Sequence, residues 1–254
     1  MIEVLERTEA GTDHLPEIGQ DPLFDAVLVH GYWLSQRGEG RVKPSLRSHI
    51  EDMAVPKFYD GGRGAGKIVL TAGHIWGSSY PSVAEVMKDE LVRKYNMPEE
   101  DIIVAITLVN DGEVQEVQTT DDEVEAFLQL ARKNEWIRLA DIAARVHNTE
   151  ILPGIDANIP ELYKKRGQEI KTEAAEDIIL ESDYDSRIKS KIRGLGGSRF
   201  EWSFRLYEGF KRLVLIIKPD YSALSKQADK ERTKKGDLGL PIISSAFPID
   251  KYAK

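Results

Sequence analysis

The sequence has five histidines: His14, His30, His49, His74 and His147. Histidine changes charge near neutral pH more readily than any other side chain. His30 closes the apolar run Asp25-Ala-Val-Leu-Val-His30. His74 follows a second run, Lys67-Ile-Val-Leu-Thr-Ala72, just past Gly73. His147 follows a fourth apolar stretch, over 137–144. Histidines at such places serve as general acids or bases, as hydrogen-bond donors to phosphate, or as metal ligands. No carboxylate stands at a recognisable ligand spacing, so no metal is assigned. The plainer alternative is that each histidine caps a strand end with a hydrogen bond.

Around them lie groups suited to an anionic ligand. The stretch Gly73-His-Ile-Trp-Gly-Ser-Ser-Tyr-Pro81-Ser82-Val-Ala-Glu85 runs from a strand into a helix. Its Ser78 and Ser82 hydroxyls and the amides of a helix start form an expected anion cradle. Glu85 in the first helical turn reads either as a catalytic carboxylate or as a capping partner that favours the positive helix end. Gly31-Tyr-Trp-Leu-Ser-Gln-Arg37 follows the first strand. Tyr32 and Trp33 offer stacking faces, and Arg37 and Arg47 offer cations for an anionic group. Two glycine-rich runs are weaker signals. Gly61-Gly-Arg-Gly-Ala-Gly66-Lys67 matches Gly-x4-Gly-Lys, but Ile68 replaces the magnesium hydroxyl, and the loop precedes a strand instead of a helix, so it reads as a turn. Gly194-Leu-Gly-Gly-Ser198 follows a helical segment and reads as a helix–helix turn.

These residues need a scaffold, and the hydrophobic pattern supplies one. Apolar runs near 25–30, 67–72 and 102–106 predict buried strands, and 137–144 reads as a fourth strand or a helix. Between them, 45–53, 81–95 and 121–134 carry helical spacing, the first introduced by Pro44. Alternating strands and helices imply βαβ units in a mostly parallel sheet with helices on both faces. In such sheets ligands bind beyond the carboxyl ends of the strands, where His30, His74 and His147 are expected. The second half predicts short helices at 162–165, 172–180 and 185–192, an aromatic-rich helix at 200–213, and a polar run at 226–237.

Composition narrows the function. The chain of 254 residues holds 35 Lys+Arg against 43 Asp+Glu and no cysteine, which excludes thiol catalysis and disulfide scaffolds. Net acidity argues against nucleic acid as the main partner. No stretch reaches the roughly 20 apolar residues of a membrane span. The N-terminus is acidic and does not resemble a signal peptide, so a cytoplasmic protein is expected. Residues 1–159 carry 15 basic and 28 acidic residues, and 160–254 carry 20 and 15. This asymmetry suggests either a basic C-terminal part packed on an acidic domain or one that brings cations to an anionic ligand.

Several of these motifs occur in a family order. They are Asp25-Ala-Val-Leu-Val-His-Gly31, Ile68-Val-Leu-Thr-Ala-Gly73, Ser82-Val-Ala-Glu85-Val-Met87 and Asn96-Met-Pro98-Glu-Glu-Asp101-Ile102-Ile103. In this order, over about residues 25–150, the chain resembles the YdcF/SanA/ElyC family. Thr71-Ala72-Gly73 stands where that family carries Ser-Gly-Gly. Thr119-Thr120-Asp121-Asp122-Glu123 stands near its Thr-x-Glu-Asn, and His147 near its late histidine. The resemblance implies a Rossmann-like domain with a pocket over the strand ends for a nucleotide-like or other phosphate-bearing small molecule, in a chain of the soluble kind. It implies no particular reaction.

The expectation is an α/β, Rossmann-like three-layer sandwich over 22–150, preceded by a segment 1–21 and followed by a mainly helical extension 151–254 that packs on it. The expected catalytic residues are His30, His74 and Glu85, with Glu85 or Glu123 orienting a histidine. The expected ligand-binding residues are Gly31, Arg37, Arg47, Thr71, Gly73, Ser78, Ser82, Thr120, Glu123 and His147. The leading function is a hydrolase or group transferase acting on an anionic small molecule. The first alternative is a non-catalytic ligand-binding or regulatory protein. The second is an interaction module built on helix 200–213. The pattern names no cofactor and no oligomeric state.

Overall fold

The computed structural model describes residues 21–31, 34–37, 41–44, 48–74, 80–148 and 158–196. In chain order these form β1 (Phe24–Val29), β2 (Leu34–Arg37), β3 (Arg41–Pro44), α1 (Ser48–Tyr59), β4 (Ala65–Leu70), α2 (Val83–Tyr95), β5 (Ile102–Val104), β6 (Thr107–Asn110) and β7 (Glu113–Glu116). Then follow α3 (Thr120–Lys133), β8 (Leu139–Ala143), α4 (Arg145–Asn148), α5 (Ile159–Lys165), β9 (Lys171–Ala174), α6 (Ala175–Glu181) and α7 (Ser186–Gly196).

Five strands make one parallel sheet in the order β5-β4-β1-β8-β9. Because strand side chains alternate, the two faces of β1 carry different residues. Val27 and Val29 join Ile68, Leu70 and Ile142 under α1, α2, α6 and α7. Ala26 and Leu28 join Val69, Leu139 and Ala143 under α3 and α5. Burial on both faces is why these strands read as continuous apolar runs. This is the expected α/β sandwich, with a mostly parallel sheet and helices on both sides. The chain leaves β1 in one direction for β4 and β5, and returns on its other side for β8 and β9. The gap between β1 and β8 is therefore a topological switch point, where open α/β sheets bind ligands.

The structure corrects several details. The sheet does not end at residue 150: β9 pairs in parallel with β8, and α6 packs on α1. Residues 158–196 thus belong to the sandwich, because they cover an edge and a helix flank that would otherwise face water. The helix expected at 172–180 is strand up to Ala174 and helix from Ala175. The helix expected at 45–53 runs over Ser48–Tyr59 and contains Pro56, while Pro44 ends β3. The glycine run at 61–66 is a turn into β4. Lys67 lies within β4 and donates to Asp101 Oδ1 at 2.7 Å, so it serves no phosphate loop. The hairpin β6–β7 was not expected. Its turn, Asp111-Gly112, has φ of 51° and 82°, the left-handed pair that a two-residue hairpin requires. Among the described residues no helix is long and apolar enough to cross a membrane. Helix 200–213, the polar run 226–237 and the N-terminal segment to residue 20 lie outside the described residues.

Candidate functional site

At the carboxyl end of the sheet two histidines sit in different surroundings. His30 follows β1 and is 4% exposed. Its Nδ1 donates to Glu123 Oε2 at 2.6 Å, and its Nε2 donates to Asp141 Oδ2 at 2.9 Å. Glu123 comes from the first turn of α3, where a carboxylate favours the positive helix end. Asp141 interrupts the apolar strand β8, and Tyr163 of α5 donates its hydroxyl to the same Asp141 Oδ2 at 2.7 Å. Burial by itself would push the His30 pKa down. The charges of Asp141 and Glu123 outweigh it and hold the ring well above 6.5. Burial first, then the Asp141 charge, raises Tyr163 well above 10, so it remains a neutral donor.

His30 is therefore an imidazolium with both nitrogens donating. It has no free lone pair with which to take a proton from a ligand. With both nitrogens on carboxylates it ties β1 to α3 and β8. Its expected orienting partner, Glu123, does meet it.

His74 lies after β4, with its side chain 22% exposed. Glu116, the last residue of β7, accepts from the His74 backbone N–H at 2.6 Å and from ring Nδ1 at 2.7 Å. The opposite nitrogen, Nε2, stands 4.0 Å from Glu85 Oε2, too far for a hydrogen bond. His74 thus has one nitrogen oriented by Glu116 and, among the described residues, no hydrogen-bond partner at the other, the arrangement of a base steadied by a carboxylate.

The hairpin supplies Glu116 because it is pinned to α3. Gln129 accepts from Val109 N at 2.9 Å and donates to Val109 O at 2.7 Å, while Leu108 and Val117 pack on Ala126. Gly73 makes the approach possible. A Cβ there would lie 2.5 Å from Glu116 Oε1 and 2.6 Å from Val117 O. Just before it, Ala72 has φ +86°, a conformation that costs a non-glycine residue about 1–3 kcal/mol and tends to occur at functional sites.

The expected anion cradle at α2 is not free. Val83 N donates to Gly73 O and Ala84 N to Ala72 O, at 3.2 and 3.3 Å. Glu85 N donates to Ser82 Oγ at 3.1 Å, and Val86 N to Ser82 O at 3.2 Å. Glu85 Oε2 in turn accepts from Ser82 N at 2.7 Å and Ser82 Oγ at 2.9 Å. This is a full capping box, so Ser82 and Glu85 secure the helix start. The bond from the Ser82 amide, the largest influence, keeps the Glu85 carboxyl below 4.5 against the opposing effect of burial. Glu85 is an anion and not a proton donor.

Other expected residues divide by position. A Cβ on Gly31 would lie 2.8 Å from Ala72 Cβ and Val83 Cγ1, so the loops after β1 and β4 touch there. Thr71 is fully buried, and its Oγ1 has no partner among the described residues. Thr120 opens α3 behind the Thr119 cap. Arg37 ends β2 and His147 lies in α4. Arg47 and Ser78 lie outside the described residues. Sequence reasoning missed Asp141, Tyr163, Glu116 and Asn148. The amide oxygen and nitrogen of Asn148, like Asp141 Oδ1, are buried without a partner among the described residues. Asp141 alone left a signal, as the one carboxylate inside the run Leu139-Ala-Asp-Ile-Ala143. Among the described residues no group of three or more acidic or histidine side chains is arranged to hold a metal. No protein-family model, no curated protein and no solved structure matches this chain.

Proposed function

We propose that the protein binds a phosphate-bearing, nucleotide-like small molecule at the carboxyl edge of the sheet and acts on it as a hydrolase or group transferase. The observation that carries this reading is His74 after β4, with Nδ1 held by Glu116 and Nε2 without a hydrogen-bond partner among the described residues. His74 is the general acid or base. Thr71 and Asn148, whose buried polar atoms have no partner among the described residues, are proposed to offer them to the ligand, because leaving such atoms unbonded costs about 1–3 kcal/mol each. Arg37 and Arg47 are the groups proposed to meet the phosphate. The resemblance of residues 25–150 to the YdcF/SanA/ElyC family supports the same ligand class. Glu85 is left out of the chemistry, since the capping box accounts for it.

The test is turnover of phosphate-bearing metabolites by wild type and His74→Ala. Loss of a general acid–base group lowers rate about 100- to 10,000-fold. The ring is 22% exposed, and in His74→Ala Glu116 can still accept from the backbone N–H at that position, so only a modest fall in melting temperature is expected. Retained turnover with a large loss of stability would overturn the assignment. Saturable binding with no chemical change in the ligand would instead favour a regulatory binding protein using the same edge.

A further inference from the structure

We infer that Glu116 is a positioning residue that fixes His74 in the Nδ1–H tautomer, so that Nε2 is the nitrogen presented to the ligand. The inference rests on the proposed role of His74 and deepens it. A carboxylate can only accept, so the nitrogen 2.7 Å from Glu116 Oε1 must carry a proton. The same oxygen takes the His74 backbone N–H at 2.6 Å, so it holds the ring and its peptide together. In neutral imidazole one nitrogen donates and the other accepts. The proton on Nδ1 therefore leaves the lone pair on Nε2. Among the described residues no hydrogen bond satisfies Nε2; Glu85 Oε2 stands 4.0 Å away.

Three local features serve this one contact. The hairpin β6–β7 forms a two-stranded sheet separate from the main sheet, and its last residue is Glu116. Gln129 and the cluster of Leu108, Val117 and Ala126 fix the hairpin on α3. Gly73 leaves the space that Glu116 fills. A capping or packing role for Glu116 would need neither the ring nitrogen nor the glycine. The arrangement assigns the hairpin a purpose: it delivers the group that sets which histidine nitrogen is reactive.

The experiment is histidine ring nitrogen NMR on the full chain, with the His74 signals assigned by their loss in His74→Ala. Spectra are taken at alkaline pH, so that the two neutral tautomers are compared. Wild type is expected to show His74 mainly as the Nδ1–H form. Glu116→Ala is expected to shift it mainly to Nε2–H, with Glu116→Asp restoring part of the Nδ1–H population. Gly73→Ala, with Glu116 intact but displaced, is expected to act like Glu116→Ala. A wild-type ring in the Nε2–H form, or a tautomer unmoved by Glu116→Ala, overturns the inference. Binding of ATP or a sugar phosphate separates the two claims. If the tautomer depends on Glu116 but His74→Ala leaves ligand binding and turnover untouched, the site reading fails and the tautomer assignment stands. If His74→Ala abolishes turnover while the tautomer ignores Glu116, only the positioning role fails.

Discussion

Asp52 gives the fold a pH dependence that one substitution should remove. It lies in α1 with no exposed surface, and neither of its carboxyl oxygens is bonded to any group among the described residues. Burial first, and then the charges of Glu51 and Glu90, raise its pKa well above 3.8, while Lys94 offsets only part of the effect. The folded chain therefore holds a proton that the unfolded chain releases above 3.8. Stability from this group is greatest in acid. It falls as pH rises from 3.8 towards the folded value, and the loss is complete above it. Asp52→Asn keeps the shape but cannot ionise, so it escapes this loss. A buried, unpaired polar group costs about 1–3 kcal/mol, and holding a proton that the unfolded chain releases costs about 1.4 kcal/mol more for each unit by which pH exceeds the unfolded value, up to the folded one. The carboxamide remains unpartnered and recovers only part of that. The expected gain near neutral pH is about 1–2 kcal/mol, or about 2–8 °C in melting temperature for a chain of this size. Urea unfolding of both proteins across a pH series from acid to alkaline reads it directly. The difference should be smallest in acid and widen as pH rises. A variant less stable than wild type at neutral pH, or a difference independent of pH, would show that Asp52 is ionised and paired, and would refute the argument.

The His30 tie makes a second set of predictions. His30→Ala leaves Glu123 and Asp141 buried without their cation and should cost about 3–5 kcal/mol in denaturant unfolding. Because the folded pKa of His30 is raised above 6.5, its stabilisation is full below 6.5 and fades as pH climbs through the folded value. In His30→Ala this alkaline loss should disappear, and its persistence there would place the titration elsewhere. Tyr163→Phe removes the hydroxyl on Asp141 and should cost about 1–3 kcal/mol. A neutral result would mean that water replaces the hydroxyl.

Much of the sandwich was legible because its strands are buried on both faces. Val27, Leu28, Ile68, Val69 and Leu70 form apolar runs that only a covered sheet explains. Helix α3 declared itself through Val124, Phe127, Leu128 and Ala131, all buried as their spacing required. β9 was not legible: Lys171-Thr-Glu-Ala174 is an edge strand with one buried residue, too short and polar to leave a periodic signal. The hairpin did leave one, Asp111-Gly112, but its strands Thr107–Asn110 and Glu113–Glu116 lack the alternating apolar pattern that usually flanks such a turn. The site divides in the same way. Contacts set by local chain geometry, such as Ser82 with Glu85, follow from three-residue spacing. The histidine–carboxylate pairs join residues far apart, 42 positions for His74 and Glu116 and 111 for His30 and Asp141. Only the folded topology brings these together. The sequence therefore pointed to both histidines but could not tell the locked one from the open one.

The carboxyl edge is proposed to bind a phosphate-bearing small molecule through His74. The most direct measurement is a thermal-shift panel of nucleotides, S-adenosyl compounds and sugar phosphates on wild type and His74→Ala. A ligand at about 100 times its dissociation constant adds about 2.7 kcal/mol to stability. A clear rise in wild type with one phosphate-bearing class, and a smaller rise or none in His74→Ala, is expected. No shift with any phosphate-bearing compound, or an equal shift in both proteins, would contradict it.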